Sequence, residues 1–402
     1  MRVCVFSRVL PAHARGGMQD HAAALARGIA ARGHDVTILT TPLPQDQPPQ
    51  SIDGVRIIYV AGAPPIRFTR AWRRESVAAA KRLHDAKPFD VFHAQGSSGT
   101  AFFAARWPRG LGAGGVLSLH GTAWDEIRTA WSMLKRGDSP RDRRMAIPKI
   151  AKQVYEHVAL TGPAARAADY VIATSDEQAR LIPRLCGLRP GRTRVVYNGI
   201  DLRRFTPETP PPEAGVALRL LCVARLIAEK GVQHAIDAVG RLKANGADAS
   251  LTIVGSGDFE PALRAQVTRL GLSECVLFRG AVAPERLPDI YRGADLFINA
   301  TTRANGYDLT MVQAQACGIP VIASDIGSTP TAVRDGISGV LVPPGDAEAA
   351  AAAVLRLAEP AVRRRIGATA RAFVLERFDE DRMVDNTIRV FSDAIARVRE
   401  SR

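Results

Sequence analysis

The sequence predicts an α/β protein built from two doubly wound parallel sheets, and three observations carry that prediction. Short apolar runs alternate with stretches of helical periodicity along nearly the whole chain, the pattern of strands crossed over by helices. The runs are apolar throughout, as strands covered on both faces must be. The alternation also occurs twice, on either side of TPETPPPEAG at 206–215. Prolines there fix φ and remove backbone donors, so the segment reads as an extended linker. A chain of 402 residues exceeds one ordinary core, which agrees with two domains.

In the first half VCVFS is a buried strand, followed by a polar loop through Gly16-Gly17 and a helix from about Met18 to Ala31. DVTILT, VRIIYV (55–60), DVFHA (90–94), GVLSLH (115–120) and YVIATS (170–175) are further strands, with helices at 70–86 and 147–168 among the connections. In the second half the strands are LRLLCVAR (218–225), SLTIVG (250–255), VLFRG (276–280), DLFINA (295–300), PVIAS (320–324) and GVLVP (339–343). Helices fit at 230–244, 259–270, 284–293, 308–317 and 346–358, and a last one at roughly 379–399 lies beyond the final strand. The expected division is residues 1–200, a linker at 201–216, and 217–378.

Composition narrows the class. Hydrophobic content of 46% with 23% charged residues excludes a disordered chain. Apolar stretches break before the roughly 18 residues a membrane span needs, so none is expected. Arg8 interrupts the apolar start, which speaks against a signal peptide. Five scattered cysteines without ligand spacing read as reduced thiols of a cytoplasmic protein, with no zinc site. Residues 1–200 carry 29 Lys and Arg against 15 Asp and Glu, whereas the second half carries 25 against 25. The excess gathers in Arg67, Arg70, Arg73, Arg74, Lys81 and Arg82, and in Lys135, Arg136, Arg141, Arg143, Arg144 and Lys149. It favours an anionic partner such as a membrane surface or a phosphorylated acceptor. Low aromatic content (6%) and the lack of a recognisable module argue against nucleic acid.

Ligands of open α/β sheets bind where strands end at their C-terminal edge, so residues there are the candidates. Gly16-Gly17 opens a helix after the first strand, where backbone N–H groups attract anions, although the GxGxxG spacing is absent. Arg225 and Lys230 bracket the end of one strand and suit a diphosphate leaving group. Asn305, Gly306, Tyr307, Asp308 and Leu309 run into a helix that carries Gln313. Asp308 reads there as a helix cap or as a ligand group. His120 closes GVLSLH, a position suited to hydrogen-bonding a sugar or to acid–base work.

Taken together, the motifs resemble the retaining glycosyltransferases of family four, which have the GT-B architecture of two facing Rossmann-like domains with an interdomain cleft. The markers are GGMQDHAAALARGIAARGHDVTILT, LHGT (119–122), ADYVIATSDE (168–177), YNGID (197–201), VARLIAEKG (223–231) and VGSGD (254–258). FRGAV (278–282), YRGADLFINATT (291–302), AQACGIPVIASDIGSTP (314–330) and SGVLVPPGD (338–346) complete the series. The resemblance implies an N-terminal acceptor domain, to which the last helix (about 379–402) returns, and a C-terminal donor domain. It implies that Gly16 and Gly17 contact donor phosphates, that Arg225 and Lys230 hold the diphosphate, and that Gly280 to Val282 line the base pocket. Residues 306–309 would wrap the phosphate and sugar, and His120 would lie near sugar and acceptor. The implied activity is transfer from a UDP- or GDP-type sugar with retention, using no metal or cofactor beyond the donor as co-substrate. Cell-envelope, polysaccharide or glycolipid synthesis at the inner membrane face is the implied setting, with a lipid-linked or anionic acceptor and peripheral membrane contact through the basic half.

The sequence departs from the family where two glutamates usually stand eight residues apart. Asn305 and Gln313 occupy those positions, Asp308 replaces a glycine, and Thr331 stands where a glutamate often follows the proline. A carboxylate binds sugar hydroxyls more strongly than an amide does. Asp308 is positioned to restore the lost charge toward the sugar. Two alternatives follow: a weakly active or inactive nucleotide-sugar-binding protein, or other chemistry of the fold such as nucleotide-sugar epimerisation. Phosphorolysis is disfavoured, because residues 305–345 contain no lysine to hold pyridoxal phosphate.

Overall fold

A computed structural model describes the chain except residues 15, 44–48, 137–139, 208–216, 305 and 402, and describes the backbone alone for 132, 133, 135, 136 and 140–145. The chain divides into two compact units: Met1–Ile127 with Ile147–Gly199 and Glu380–Arg402, and Arg128–Ala146 with Ile200–Asp379.

The first unit holds an eight-stranded sheet. Its strands are β1 (Arg2–Phe6), β2 (Asp35–Thr40), β3 (Ser51–Ile52), β4 (Val55–Tyr59), β5 (Val91–Gln95), β6 (Gly114–Leu119), β7 (Tyr170–Ala173) and β8 (Thr193–Val195). The order is β3-β4-β2-β1-β5-β6-β7-β8, parallel except for the short antiparallel pair of β3 with β4. All residues of β5, β6 and β7 are buried. That is why their sequences are unbroken apolar runs. Strand order reverses between β1 and β5, which makes that junction the unit's switch point.

Helix Glu380–Glu400 belongs to this unit and buries Met383, Val384, Val390, Phe391 and Ala394 in the sheet's second core. Small residues let it approach. A Cβ on Gly28 would stand 2.4 Å from Val384 Cγ2, and one on Gly114 would meet Ala394 at 3.1 Å. Arg32 fastens the helix start through Asp385 (2.5 Å) and Asp381 (3.1 Å).

The second unit holds six parallel strands: β9 (Leu218–Val223), β10 (Ala249–Val254), β11 (Val276–Phe278), β12 (Leu296–Asn299), β13 (Val321–Ser324) and β14 (Gly339–Val342). Their order, β11-β10-β9-β12-β13-β14, reverses between β9 and β12. Leu220, Cys222, Ile253, Ile298 and Ile322 from the strands pack with Ile236, Val239 and Val354 from the covering helices.

Four features differ from the sequence expectation. Residues 201–207 are turns packed on the second unit instead of extended linker: Phe205 is buried against Tyr291, and Ile200 N donates to Phe378 O at 2.9 Å. The rest of the expected linker, 208–216, lies outside the described residues. Residues 128–146, expected in the first domain, group with the second unit, where Ala304 N donates to Thr129 Oγ1 at 3.1 Å. The helix expected at 147–168 starts at Pro140, carries Pro148 inside it, and gives way at His157–Thr161 to a wider turn before Gly162–Ala167. Helices Asp176–Cys186 and Pro360–Arg377 are additions to the predicted set.

Among the described residues no helix is long and apolar enough to cross a membrane, and all five cysteines are free thiols.

Candidate functional site

Each unit gathers polar side chains at its own switch point. In the first, the loop after β1 reaches Gly16, which precedes helix Gly17–Ala31; this helix has no side-chain N-cap. Gly16 is extended (φ 165°), and a Cβ there would meet only the flexible side chain of Gln19. The expected N-terminal contact is therefore a helix start with open backbone donors. Arg15 lies outside the described residues.

His120 directly follows β6. Thr122 and Asp125 fix the loop beyond it in a reciprocal cap: Thr122 N and Oγ1 both donate to Asp125 Oδ2 at 2.8 Å, and Asp125 N donates to Thr122 Oγ1 at 3.2 Å. His120 Nε2 lies 2.6 Å from Gln95 Oε1 at the end of β5. His21, from the helix that Gly17 opens, sets its ring edge-on to His120 with centroids 4.8 Å apart. His93 on β5 lies 2.8 Å from Ser118 Oγ. Burial drives the His120 imidazole down to about 4. Burial, and then the charge of His120, drives His93 down to about 3. Burial with both neighbours holds His21 well below its ordinary value. All three rings are neutral at physiological pH. A neutral imidazole at His120 offers one N–H and one lone pair for hydrogen bonding.

In the second unit the loop after β9 exposes Arg225 and forms a short turn, Ala228–Lys230. Gly231 follows at φ 69°, and a Cβ there would sit 1.8 Å from Ala300 O. Only glycine permits this backbone and this approach, which brings the β9 loop onto the end of β12. Lys230 Nζ donates to Asp308 Oδ1, and Asn299 Nδ2, at the tip of β12, donates to Asp308 Oδ2 at 3.0 Å. Burial alone would raise the Asp308 carboxyl, but Lys230, Asn299 and Arg303 together hold it below the usual range.

Asp308 precedes helix Leu309–Ala316 but makes no side-chain cap, which corrects the capping alternative. Its two oxygens accept from Lys230 and Asn299, so the charge expected toward a sugar is directed first at the Lys230 ammonium. Tyr307 sets its ring edge-on to Phe378 at 5.8 Å, and Gly306 takes φ 68°. Asn305 lies outside the described residues.

Gln313, expected at a ribose, accepts from the Tyr291 hydroxyl at 2.9 Å. Burial first, with Cys317, Cys222 and Asp308 adding to it, holds that hydroxyl well above its ordinary pKa, so it remains a donor. Gly280, at φ 68°, ends the turn after β11 with open space where a Cβ would stand, and Gly255 N donates to its carbonyl at 2.8 Å. Val282 is half-buried nearby in sequence.

Gln95, His21, His93, Asn299 and Tyr291 were not among the sequence candidates. The signal for two of them was the strand end itself: Gln95 and Asn299 are the last residues of β5 and β12, the strands on one side of each reversal. Among the described residues no group of three or more His, Cys, Asp or Glu side chains is placed to hold a metal ion.

Comparison with known proteins agrees with this layout. Residues 15–204 match the model described as Glycosyltransferase Family 4, and residues 217–360 match Glycosyl transferases group 1. The D-inositol 3-phosphate glycosyltransferase of Acidothermus cellulolyticus is 30% identical, covering 95% of this chain and 86% of its own. The enzyme of the same name from Streptomyces bingchenggensis is 30% identical over 96% of this chain and 87% of its own. Among solved structures, sucrose-phosphate synthase from Thermosynechococcus elongatus superposes with a TM-score of 0.78 at 21% identity, covering 98% of this chain and 99% of that one. The Anabaena protein HepE in complex with UDP and glucose does so at 0.70 and 21%, over 97% and 99%. By sequence and fold, the chain belongs to the family 4, group 1 glycosyltransferases and is a glycosyltransferase of the GT-B fold.

Proposed function

We propose that the protein transfers a sugar from a UDP- or GDP-type nucleotide sugar to an acceptor, with retention of anomeric configuration. The observation that carries this reading is the second unit's switch point. An exposed guanidinium (Arg225), an ammonium (Lys230) and the start of helix Leu309–Ala316 stand there at the ends of β9 and β12. Cations and helix-terminal N–H groups suit a diphosphate whose charge grows as it departs. A structural neighbour solved with UDP and glucose supports the donor class. Gly280 and Val282 remain the candidates for the base.

Acceptor binding is assigned to the first unit, with His120 as a neutral acceptor of a hydroxyl proton. Arg67, Arg70, Arg74 and Arg82 are exposed on this unit, and relatives named for an inositol phosphate support an anionic acceptor. The same basic half motivates peripheral membrane contact at the cytoplasmic face, in glycolipid or polysaccharide synthesis. In liposome flotation, binding to anionic vesicles that disappears at high salt is expected, and none at any salt would remove the membrane part of the reading.

The test of the reaction is release of nucleoside diphosphate from a panel of nucleotide sugars with phosphorylated acceptors. Arg225→Ala should reduce the rate at least about tenfold, the scale of losing one stabilising donor or cation. The engagement of Gln313 by Tyr291 favours a second reading, a weakly active nucleotide-sugar binder. Calorimetric binding of nucleoside diphosphate without release from any donor would select it.

A further inference from the structure

The two cations expected at the donor diphosphate are in different states. Arg225 is exposed, and no partner is present for its side chain among the described residues. The Lys230 side chain is 10% exposed and committed to Asp308, whose own side chain is 26% exposed. Asp308 serves no cap, and its second oxygen is held by Asn299 at 3.0 Å. The carboxylate is thus aimed at the ammonium from a fixed position, 78 residues away in sequence.

An ammonium has three donors, spread tetrahedrally. With one on Asp308, a phosphate oxygen taking a second would lie about 4.6 Å from the carboxylate oxygen, given charge-assisted bonds of about 2.8 Å. Two anions at that separation, in a partly buried site, repel appreciably. Fixing the ammonium in advance favours binding, since a lysine side chain loses rotamer freedom when it is immobilised. Repulsion grows with each charge on the ligand while the ordering term does not, so against a diphosphate the repulsion wins.

We propose that Asp308 is an internal competitor for Lys230: it weakens the hold on the nucleoside diphosphate and speeds its departure after transfer. This rests on the reading that Lys230 meets the donor's diphosphate. It also gives the acid at this position a role opposite to the one the sequence suggested, since its charge acts against the phosphates instead of reaching the sugar. Arg225, uncommitted, makes the first contact, and Lys230 is shared.

Calorimetric titration of the full chain with UDP, GDP, UMP and uridine tests this. Asp308→Asn keeps size and polarity and should tighten UDP or GDP binding about tenfold, equivalent to about 1.4 kcal/mol. The gain should be smaller for UMP and absent for uridine, and should shrink with added salt. Asp308→Ser removes the charge by a different side chain and should tighten binding likewise. Damage to the fold cannot mimic a gain in affinity graded by ligand charge.

Unchanged or weaker diphosphate binding in both variants, while Arg225→Ala and Lys230→Ala weaken it, overturns the competition and leaves the donor reading standing. If Arg225→Ala and Lys230→Ala also leave affinity unchanged, the donor reading falls and the competition falls with it.

Discussion

The two switch points share one topology and hold their polar groups in opposite ways. In the first unit β5 ends in a buried amide, Gln95, and β6 is followed by the half-buried His120, neutral like the buried His93 within β5. In the second, β9 and β12 end in an ion pair with an exposed guanidinium beside it in sequence. The contrast runs against bulk charge. The excess of cations lies wholly in residues 1–200, yet the histidines and amide at that sheet's switch point are neutral, with Arg8 two residues past β1 a cation beside them, while the charge-balanced half sets an ion pair and a guanidinium at its own. Net charge therefore locates a surface that attracts anions. It does not locate the groups that would stabilise a leaving group, which need fixed geometry and exclusion of water.

The sharpest way to break the comparison is through the glycine that starts the first helix of each unit. Gly231 lies at φ 69° with a backbone oxygen 1.8 Å from where a Cβ would stand, whereas Gly16 is extended and faces only the end of the Gln19 side chain. Gly231→Ala should destabilise the second unit by about 3 kcal/mol, from the left-handed backbone and the forced shift of Ala300. That corresponds to a fall of about 10 °C in its melting point. Gly16→Ala should cost less than about 1 kcal/mol. Calorimetric scans of both variants check this, and equal losses would mean that the two loops are built alike after all.

Acid separates the two regions next. His120 falls from 6.5 to about 4 in the folded chain, and His93 to about 3. Between the unfolded value and these folded values the unfolded chain binds more protons, so the stability of the first unit declines as pH falls from about 6.5 toward 4. For His120 alone the loss is on the order of 3 kcal/mol. Asp308 is lowered as well, but from 3.8, so its window lies at more acid pH. Its contribution is complete above 3.8 and is lost only as pH falls through its lower folded value. Hydrogen exchange followed at pH 7, 5 and 4 should show peptides of β5 and β6 losing protection before those of β9 and β12. Simultaneous loss would count against neutral burial of the histidines.

Much of this was legible beforehand, for a physical reason. Apolar runs bounded by polar and turn residues mark strands, so DVTILT read directly as β2 and the six strands of the second unit stood out. The two-residue β3 is too short to carry a pattern, and β8, TRV, lacks the apolar run that the equally short β11, VLF, has. Pro148 and Pro183 both lie inside helices that extend past them. At the candidate site, strand ends exposed His120, Arg225 and Lys230 as candidates. Their pairings stayed hidden, although Asp308 itself was a candidate, because Gln95 meets His120 across 25 residues and Asp308 meets Lys230 across 78. Local spacing holds no trace of such pairs.

The smallest expected effect concerns Gln313, where an amide stands in place of the family's usual carboxylate. A glutamate there would restore a charged acceptor, but one oxygen would still receive the Tyr291 hydroxyl that Gln313 now accepts at 2.9 Å. Only the second oxygen could reach a ribose. Gln313→Glu should therefore tighten nucleotide-sugar binding by about 1 kcal/mol, roughly fivefold, the scale of one added hydrogen bond. Tyr291→Phe in that background frees the first oxygen and should add no more than a further twofold, because the half-buried carboxylate loses a donor as it gains freedom. A donor titration of the two variants measures both steps. Unchanged affinity in Gln313→Glu would mean that this helix turns its polar face to Tyr291 alone, leaving the loop at 306–309 and the ion pair beside it as the groups through which the second unit meets its ligand.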